Sequence, residues 1–176
     1  MQIPTLETNR LIIRAHSKDD FSALKAMWAD PEVVKFISGI PSTEGQSWMR
    51  LMTYLGHWQL LGYGYWAIIE KETNSYVGDI GIADFKRAIS PSISGTPETG
   101  WVLSKEAQGK GYALEALTAV LKWADKNLSH PNTVCIITKE NERSNLLAEK
   151  CGYKKSVETV FNDKPVVIFT RPKPIL

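Results

Sequence analysis

The apolar positions change period along the chain, and each change marks an element. Leu11-Ile12-Ile13-Arg14-Ala15 is a short branched run that predicts a first strand. Ser17 then stands three residues ahead of Asp20 as a capping box, before Phe21, Leu24, Met27 and Trp28 recur at helical spacing. That helix is expected to end near Asp30-Pro31, because the residue before a proline is pushed out of helical geometry. After Pro41, Ser42 or Thr43 can cap a second helix with Trp48, Leu51, Met52, Leu55 and Trp58 on one face, stopped by Gly62 and Gly64. The β-rich runs 65–70 and 76–85, parted by the polar segment 71–75, predict an antiparallel hairpin. Residues 88–97 are rich in Ser, Pro and Gly without a period, and read as an exposed, mobile loop beside the substrate entrance.

From Glu98 the pattern runs strand (98–103), glycine loop, long helix (112–128), strand (134–138), which is a βαβ crossover. In that helix Leu114, Leu117, Leu121, Ala124 and Leu128 form an apolar stripe opposite Glu115, Thr118, Lys122 and Asp125. A short helix (144–150) closed by Gly152 and two last strands (157–161 and 165–170) around Asn162-Asp163 complete the chain. The expected architecture is a mixed α/β sheet of about seven strands flanked by about four helices.

Composition narrows the class. With 176 residues, 43% hydrophobic and 23% charged, the chain fits one globular domain spanning 1–176. A net charge of +2 argues against direct nucleic-acid binding. Cys135 and Cys151 supply neither a disulfide framework nor a four-ligand zinc site, so reduced thiols and no metal are expected. The opening residues lack a signal-peptide pattern, and no run reaches the ~18 apolar residues of a membrane span, which gives a cytoplasmic expectation with no membrane partner. Monomer and homodimer both remain open.

Gln108-Gly109-Lys110-Gly111-Tyr112-Ala113 lies where a strand gives way to a helix. Unpaired amides and the positive end of the helix dipole converge there and suit a phosphate, with glycines admitting ligand oxygens to the main chain; a plain turn is the competing reading. A Walker loop needs Ser or Thr after Lys110, where Gly111 stands, and a dinucleotide fingerprint needs glycine at Leu114.

Glu98-Thr99-Gly100-Trp101-Val102-Leu103, the glycine loop running on to Leu114-Glu115-Ala116, Asn141-Glu142-Arg143-Ser144 and Gly152-Tyr153 together resemble the GNAT superfamily of N-acetyltransferases. The opening Glu7-Thr8-Asn9-Arg10-Leu11-Ile12-Ile13-Arg14, with Asp30-Pro31-Glu32-Val33, is similar to its ribosomal-protein N-terminal (alanine/serine) acetyltransferase branch. The resemblance implies acetyl-coenzyme A as cosubstrate, held where the fourth and fifth predicted strands splay apart as a parallel pair. It implies that Val102 and Leu103 pair with the pantetheine amides, that Gln108, Gly109, Lys110, Gly111, Tyr112 and Ala113 cradle the pyrophosphate, and that Asn141 bonds the pantetheine arm. Family members often carry Arg where Gln108 stands; Lys105, Lys110, Lys139 and Arg143 could add attraction for the phosphates.

Acetyl transfer needs a neutral amine, a donor for the developing oxyanion and a way to protonate the departing thiolate. The resemblance gives the first donor to a strand amide near Val102 or Leu103. The Tyr that many superfamily members place seven residues after Asn141 is replaced by Ala148; Ser144 matches a position thought to bond the cofactor sulfur in the ribosomal-protein branch, and as an N-cap would be merely structural. Glu98 is the first candidate base and Asp84 the second. His16, His57 and His130 lie outside the motifs, and Trp58 is weighed between core and acceptor-site wall. Without an obvious strong base the easier amine is favoured: an α-amine of pKa ~7.7–8.0 is roughly a tenth neutral at pH 7, a lysine of pKa ~10.4 only about one part in a few thousand. The expected acceptor is a protein or peptide N-terminus, or a small-molecule amine of similar basicity. A coenzyme A-binding sensor and an unrelated phosphate-binding module are the competing classes.

Overall fold

Short runs rich in branched and aromatic residues, several of them buried along nearly their whole length, give the computed structural model, which describes residues 2–174, a single eight-stranded sheet. The strands are β1 (Leu6–Glu7), β2 (Leu11–Arg14), β3 (Tyr65–Glu70), β4 (Ser75–Ala83), β5 (Glu98–Leu103), β6 (Asn132–Thr138), β7 (Lys154–Phe161) and β8 (Lys164–Pro172), in the spatial order β1-β2-β3-β4-β5-β6-β8-β7. The helices are α1 (Phe21–Ala29), α2 (Pro31–Val34), α3 (Glu44–Leu61), α4 (Tyr112–Asn127) and α5 (Glu142–Lys150). Every neighbouring pair of strands is antiparallel except β5 and β6, which are parallel and joined through α4.

The mixed sheet and its crossover are as the pattern predicts, with two additions. The two-residue β1 is too short to show a period. The single turn of α2 begins at Pro31, where Asp30 accepts the Glu32 amide at 2.8 Å as its cap. Thr43 caps α3 and exchanges bonds with Gln46, completing a capping box. Asn162 and Asp163 adopt positive φ (49° and 60°) in the two-residue turn between β7 and β8, matching the hairpin chemistry of those residue types.

Two predicted faces are rotated. In α3 the buried stripe is Ser47, Leu51, Tyr54 and Trp58, at spacings of four, three and four, while Trp48 and Met52 stay partly exposed at 37% and 38%. Tyr54 takes the inward position, where its ring stacks on Tyr65 of β3 with centroids 4.4 Å apart; Trp48 meets Phe21 edge-on at 4.9 Å nearer the surface. In α4 the buried residues are Tyr112, Ala116, Leu117, Val120, Leu121 and Ala124, so Leu114 turns outward. The third correction concerns residues 88–97: Ile89 and Ile93 are buried against Val134, Val166 and Ile168, so this loop is anchored at two points instead of lying free.

The main core lies between the sheet and α4, where Trp66, Ile68, Ile80 and Phe169 meet Leu117 and Val120. A second cluster packs α1, α2 and α3 on Tyr65 and Ala83. Among the described residues no helix is long and apolar enough to cross a membrane.

Candidate active site

The sheet parts at its centre. Glu98 opposite Val134 is the one ladder position joining β5 to β6 among the described residues. On its other side β5 pairs with β4 along its whole length, and Ser104 donates to the Val77 carbonyl at 2.9 Å. Such pairs recur at every second residue of an antiparallel ladder. Gly100 and Val102 therefore commit their main-chain groups to β4, and Trp101 and Leu103 turn theirs to the widening gap. The Pro97 carbonyl, of the same parity, accepts the Val134 amide at 3.0 Å just before the gap opens. Of the two residues that the resemblance assigns to the pantetheine arm, Leu103 thus faces the gap with its main chain, whereas Val102 lines it with its side chain. Trp101, which the resemblance did not assign, supplies the other open amide.

The floor of the split is braced from below. The buried Tyr153 hydroxyl is 2.9 Å from the Thr133 hydroxyl on β6 and 2.8 Å from that of Thr99 on β5. Burial pushes the Tyr153 phenol well above its ordinary range, so it acts as a neutral tie.

Where β5 ends, the chain turns into α4 through Gly109 and Gly111, both left-handed with φ of 78° and 81°. Among the described residues, the amides of residues 109–114 have no protein acceptor, and α4 has no side-chain cap. Arg10 holds this loop in shape. Its guanidinium donates to the Lys110 carbonyl at 2.9 Å, lies 4.6 Å over the Tyr112 ring, and pairs with Glu115 at 2.7 Å. Thr8 and the Arg10 amide also donate to Glu115 at 2.6 and 2.8 Å. Burial alone would raise the Glu115 carboxyl, but these bonds outweigh it and hold it below the usual range. Gln108 spends its side chain on the Leu103 carbonyl at 3.2 Å, bracing the turn. Lys105 and Lys110 are exposed at this loop and Arg143 is exposed on α5, whereas Lys139 is bonded to Glu158 at 2.8 Å.

A cavity of about 490 Å³ opens from the split towards α2 and α3. Glu98, only 5% exposed, lines it and accepts from Arg87 Nε at 2.7 Å through Oε2, with no protein donor on Oε1. Asp84, the second candidate base, is absent from the lining and tied to Lys86 and to the Gly95 amide. Tyr65 crosses the cavity wall beside Gly100, where a Cβ would collide with its hydroxyl, so glycine is sterically required there. Ser144 reaches the cavity from α5; it is the third residue of the helix, and Asn141 is the N-cap, accepting the Ser144 amide at 3.2 Å. The capping reading of Ser144 is thereby replaced, and its hydroxyl has no partner among the described residues. Ala148 is fully buried and offers no acid. Cys135 also lines the cavity, with burial raising its thiol well above the usual range.

Several residues escaped sequence reasoning. Asp79 of β4 is fully buried and bonded to His16 Nε2 at 2.8 Å, Trp28 Nε1 at 3.0 Å and the Tyr76 hydroxyl. Its place in an otherwise apolar strand was the available signal, since a buried carboxylate requires donors. Arg50 lies in the segment read as the second helix and Arg87 between the strand read over 76–85 and the loop read over 88–97, with no motif around either. Trp58 belongs to the core, where it meets Trp66 and Trp123 edge-on. Among the described residues no group of three or more His, Cys, Asp or Glu is placed to hold a metal.

A family model for the acetyltransferase (GNAT) domain matches residues 10–154. The chain is 27% identical over 152 residues to the uncharacterized N-acetyltransferase p20 of Bacillus licheniformis, covering 86% of this chain and 83% of that one. A solved acetyltransferase of Agrobacterium tumefaciens strain C58 superposes with a TM-score of 0.82 at 29% identity, over 97% of this chain and 95% of the other. A ribosomal L7/L12 α-N-protein acetyltransferase solved with coenzyme A shares the fold, with a TM-score of 0.77 at 16% identity over 96% and 98% of the two chains.

Proposed function

The chain belongs to the GNAT acetyltransferase family, and on that premise we propose that it moves the acetyl group of acetyl-coenzyme A to an N-terminal α-amine of a protein or peptide, as one domain and without a metal. The observation that carries this is the presence of two unsatisfied main-chain surfaces a few residues apart in the chain: the open edge of β5 after Glu98 and the row of free amides at residues 109–114. A pyrophosphate fits the second, because it accepts several amides at once at the positive end of α4. The pantetheine arm fits the first as a surrogate strand. Lys105, Lys110 and Arg143 add charge from the rim.

Acetyl-coenzyme A supplies the activated thioester; the protein positions and polarises it. The Trp101 or Leu103 amide offers a hydrogen bond to the carbonyl oxygen as negative charge grows there. Ser144 donates its free hydroxyl to the departing sulfur. Glu98, held by Arg87 through one oxygen, keeps Oε1 for the proton of the attacking amine, directly or through one water. Asn141 caps α5 through Oδ1 and has its amide nitrogen left for the pantetheine arm.

Such a base is modest, and this supports an acceptor that is partly neutral already, an α-amine ahead of a lysine. Similarity to the ribosomal-protein branch, in the opening residues and in fold, points the same way. Mass spectrometry on peptides bearing both amine types tests the assignment: acetylation is expected at the N-terminus, and preferential lysine acetylation would overturn it.

A further inference from the structure

Arg50 is an unanswered charge in the acceptor end of the cavity. It projects from α3 into the lining, half-buried, with its guanidinium 3.5 Å over the Trp28 ring. Stacking satisfies the face of a guanidinium and leaves its edge, with five N–H donors, to find acceptors. The protein provides little for that edge: one long bond of 3.4 Å to the Ser42 hydroxyl, while Nε is buried with no partner. Among the described residues no carboxylate comes within salt-bridge distance of it. The remaining charged groups of the lining do not compensate, since Arg87 and Glu98 neutralise each other and Lys164 adds a second positive charge. The Trp28 platform is itself fixed, by its indole bond to buried Asp79.

We infer that Arg50 is a specificity-determining residue that binds a carboxylate of the acceptor, so the substrates are amines carrying a carboxylate near the reacting nitrogen. This deepens the acetyltransfer reading above and rests on it. The stacked guanidinium presents a planar fork that matches a carboxylate in two hydrogen bonds. The same excess of positive charge works against polyamines, whose second ammonium would be brought beside Arg50 and Lys164. Two sources supply the chemistry: a free amino acid through its α-carboxylate, and a polypeptide N-terminus through an Asp or Glu side chain at an early position.

The test uses matched pairs on the wild type, Arg50→Gln and Arg50→Lys. One pair is a free amino acid against its amide, compared at equal concentrations of unprotonated amine; the other is a peptide with Glu at its second position against the same peptide with Gln. Thiol release gives kcat and KM, and calorimetry gives the affinity of each member for the protein saturated with coenzyme A. The wild type is expected to favour the acid member of at least one pair by about 10- to 100-fold, expressed in KM, as charge-assisted bonds to a desolvated carboxylate supply. Which pair responds identifies the source. Arg50→Gln is expected to erase the preference, and Arg50→Lys, which keeps the charge without the fork, to restore part of it. A purely structural Arg50 would lower thermal stability and leave the acid-to-amide ratio unchanged. Equal affinity for acid and amide in both pairs, or a preference that survives in Arg50→Gln, overturns the inference even where acetyl-coenzyme A binds normally. Failure of the wild type to bind acetyl-coenzyme A overturns the underlying acetyltransfer reading, and this inference with it.

Discussion

Ser144 is available for chemistry because Asn141 has taken the cap of α5. Its hydroxyl can therefore be removed without unravelling the helix. Ser144→Ala is expected to lower kcat by about 10-fold or more, the scale of one charge-assisted hydrogen bond to a leaving thiolate, with acetyl-coenzyme A affinity and thermal midpoint unchanged. Stopped assays of thiol release, paired with calorimetry, check this; a loss of stability in step with activity would return Ser144 to a structural role. At this scale the sequence was partly readable. Glu98, Ser144 and the glycine loop stand in recognisable strings. Arg50, Arg87 and Tyr65 do not, because what places them in one cavity is the meeting of α3, β3 and the 84–97 segment, which no local pattern encodes.

Element by element, the glycine loop owes its shape to a brace from far upstream. Arg10 bonds the Lys110 carbonyl, covers Tyr112 and pairs with Glu115, so the turn between β1 and β2 fixes the start of α4. Arg10→Ala is expected to weaken acetyl-coenzyme A binding about 10-fold through loss of this preorganisation, with kcat at saturation little changed. Unaltered affinity by calorimetry would show that the loop holds its form alone. The entry to α1 makes the stability of the fold depend on pH. Burial would raise the Asp20 carboxyl, but the Arg14 bonds at 2.8 Å and the Ser17 amide at 2.7 Å outweigh it, leaving it below its usual range. A depressed folded value contributes stability that is fully present above the unfolded value near ~3.9 and is lost as pH falls through the folded one. Urea midpoints of the wild type should therefore fall on acidification below about pH 4 more steeply than those of Asp20→Asn, which starts lower at neutral pH. Parallel slopes would contradict the assignment. Capping boxes and β-rich runs made these elements legible in advance. The phase of α3 was not, because stacking between Tyr54 and Tyr65 decides it, and residues of similar hydrophobicity on adjacent faces leave helical periodicity ambiguous.

For the whole molecule, one sheet is left unzipped in its middle and tied at the point of parting. Thr99, Tyr153 and Thr133 fasten β5 to β6 beside the Glu98–Val134 bridge; the open edge of β5 lies beyond them, and the amide row at the start of α4 follows it in the chain. The crossover that creates this geometry was visible as strand, loop, helix and strand; the distance at which the strands stop pairing was not, since it depends on side chains from three separate elements. The acetyltransferase reading stands on that gap being a binding surface for a thiol-bearing diphosphate. Calorimetric titration of the protein with acetyl-coenzyme A at physiological salt tests it most directly. Saturable binding of one molecule per chain, competed by free coenzyme A and abolished by Gly111→Val, is the expected result; absence of saturable heat at concentrations well above those of ordinary cosubstrate binding would contradict the account.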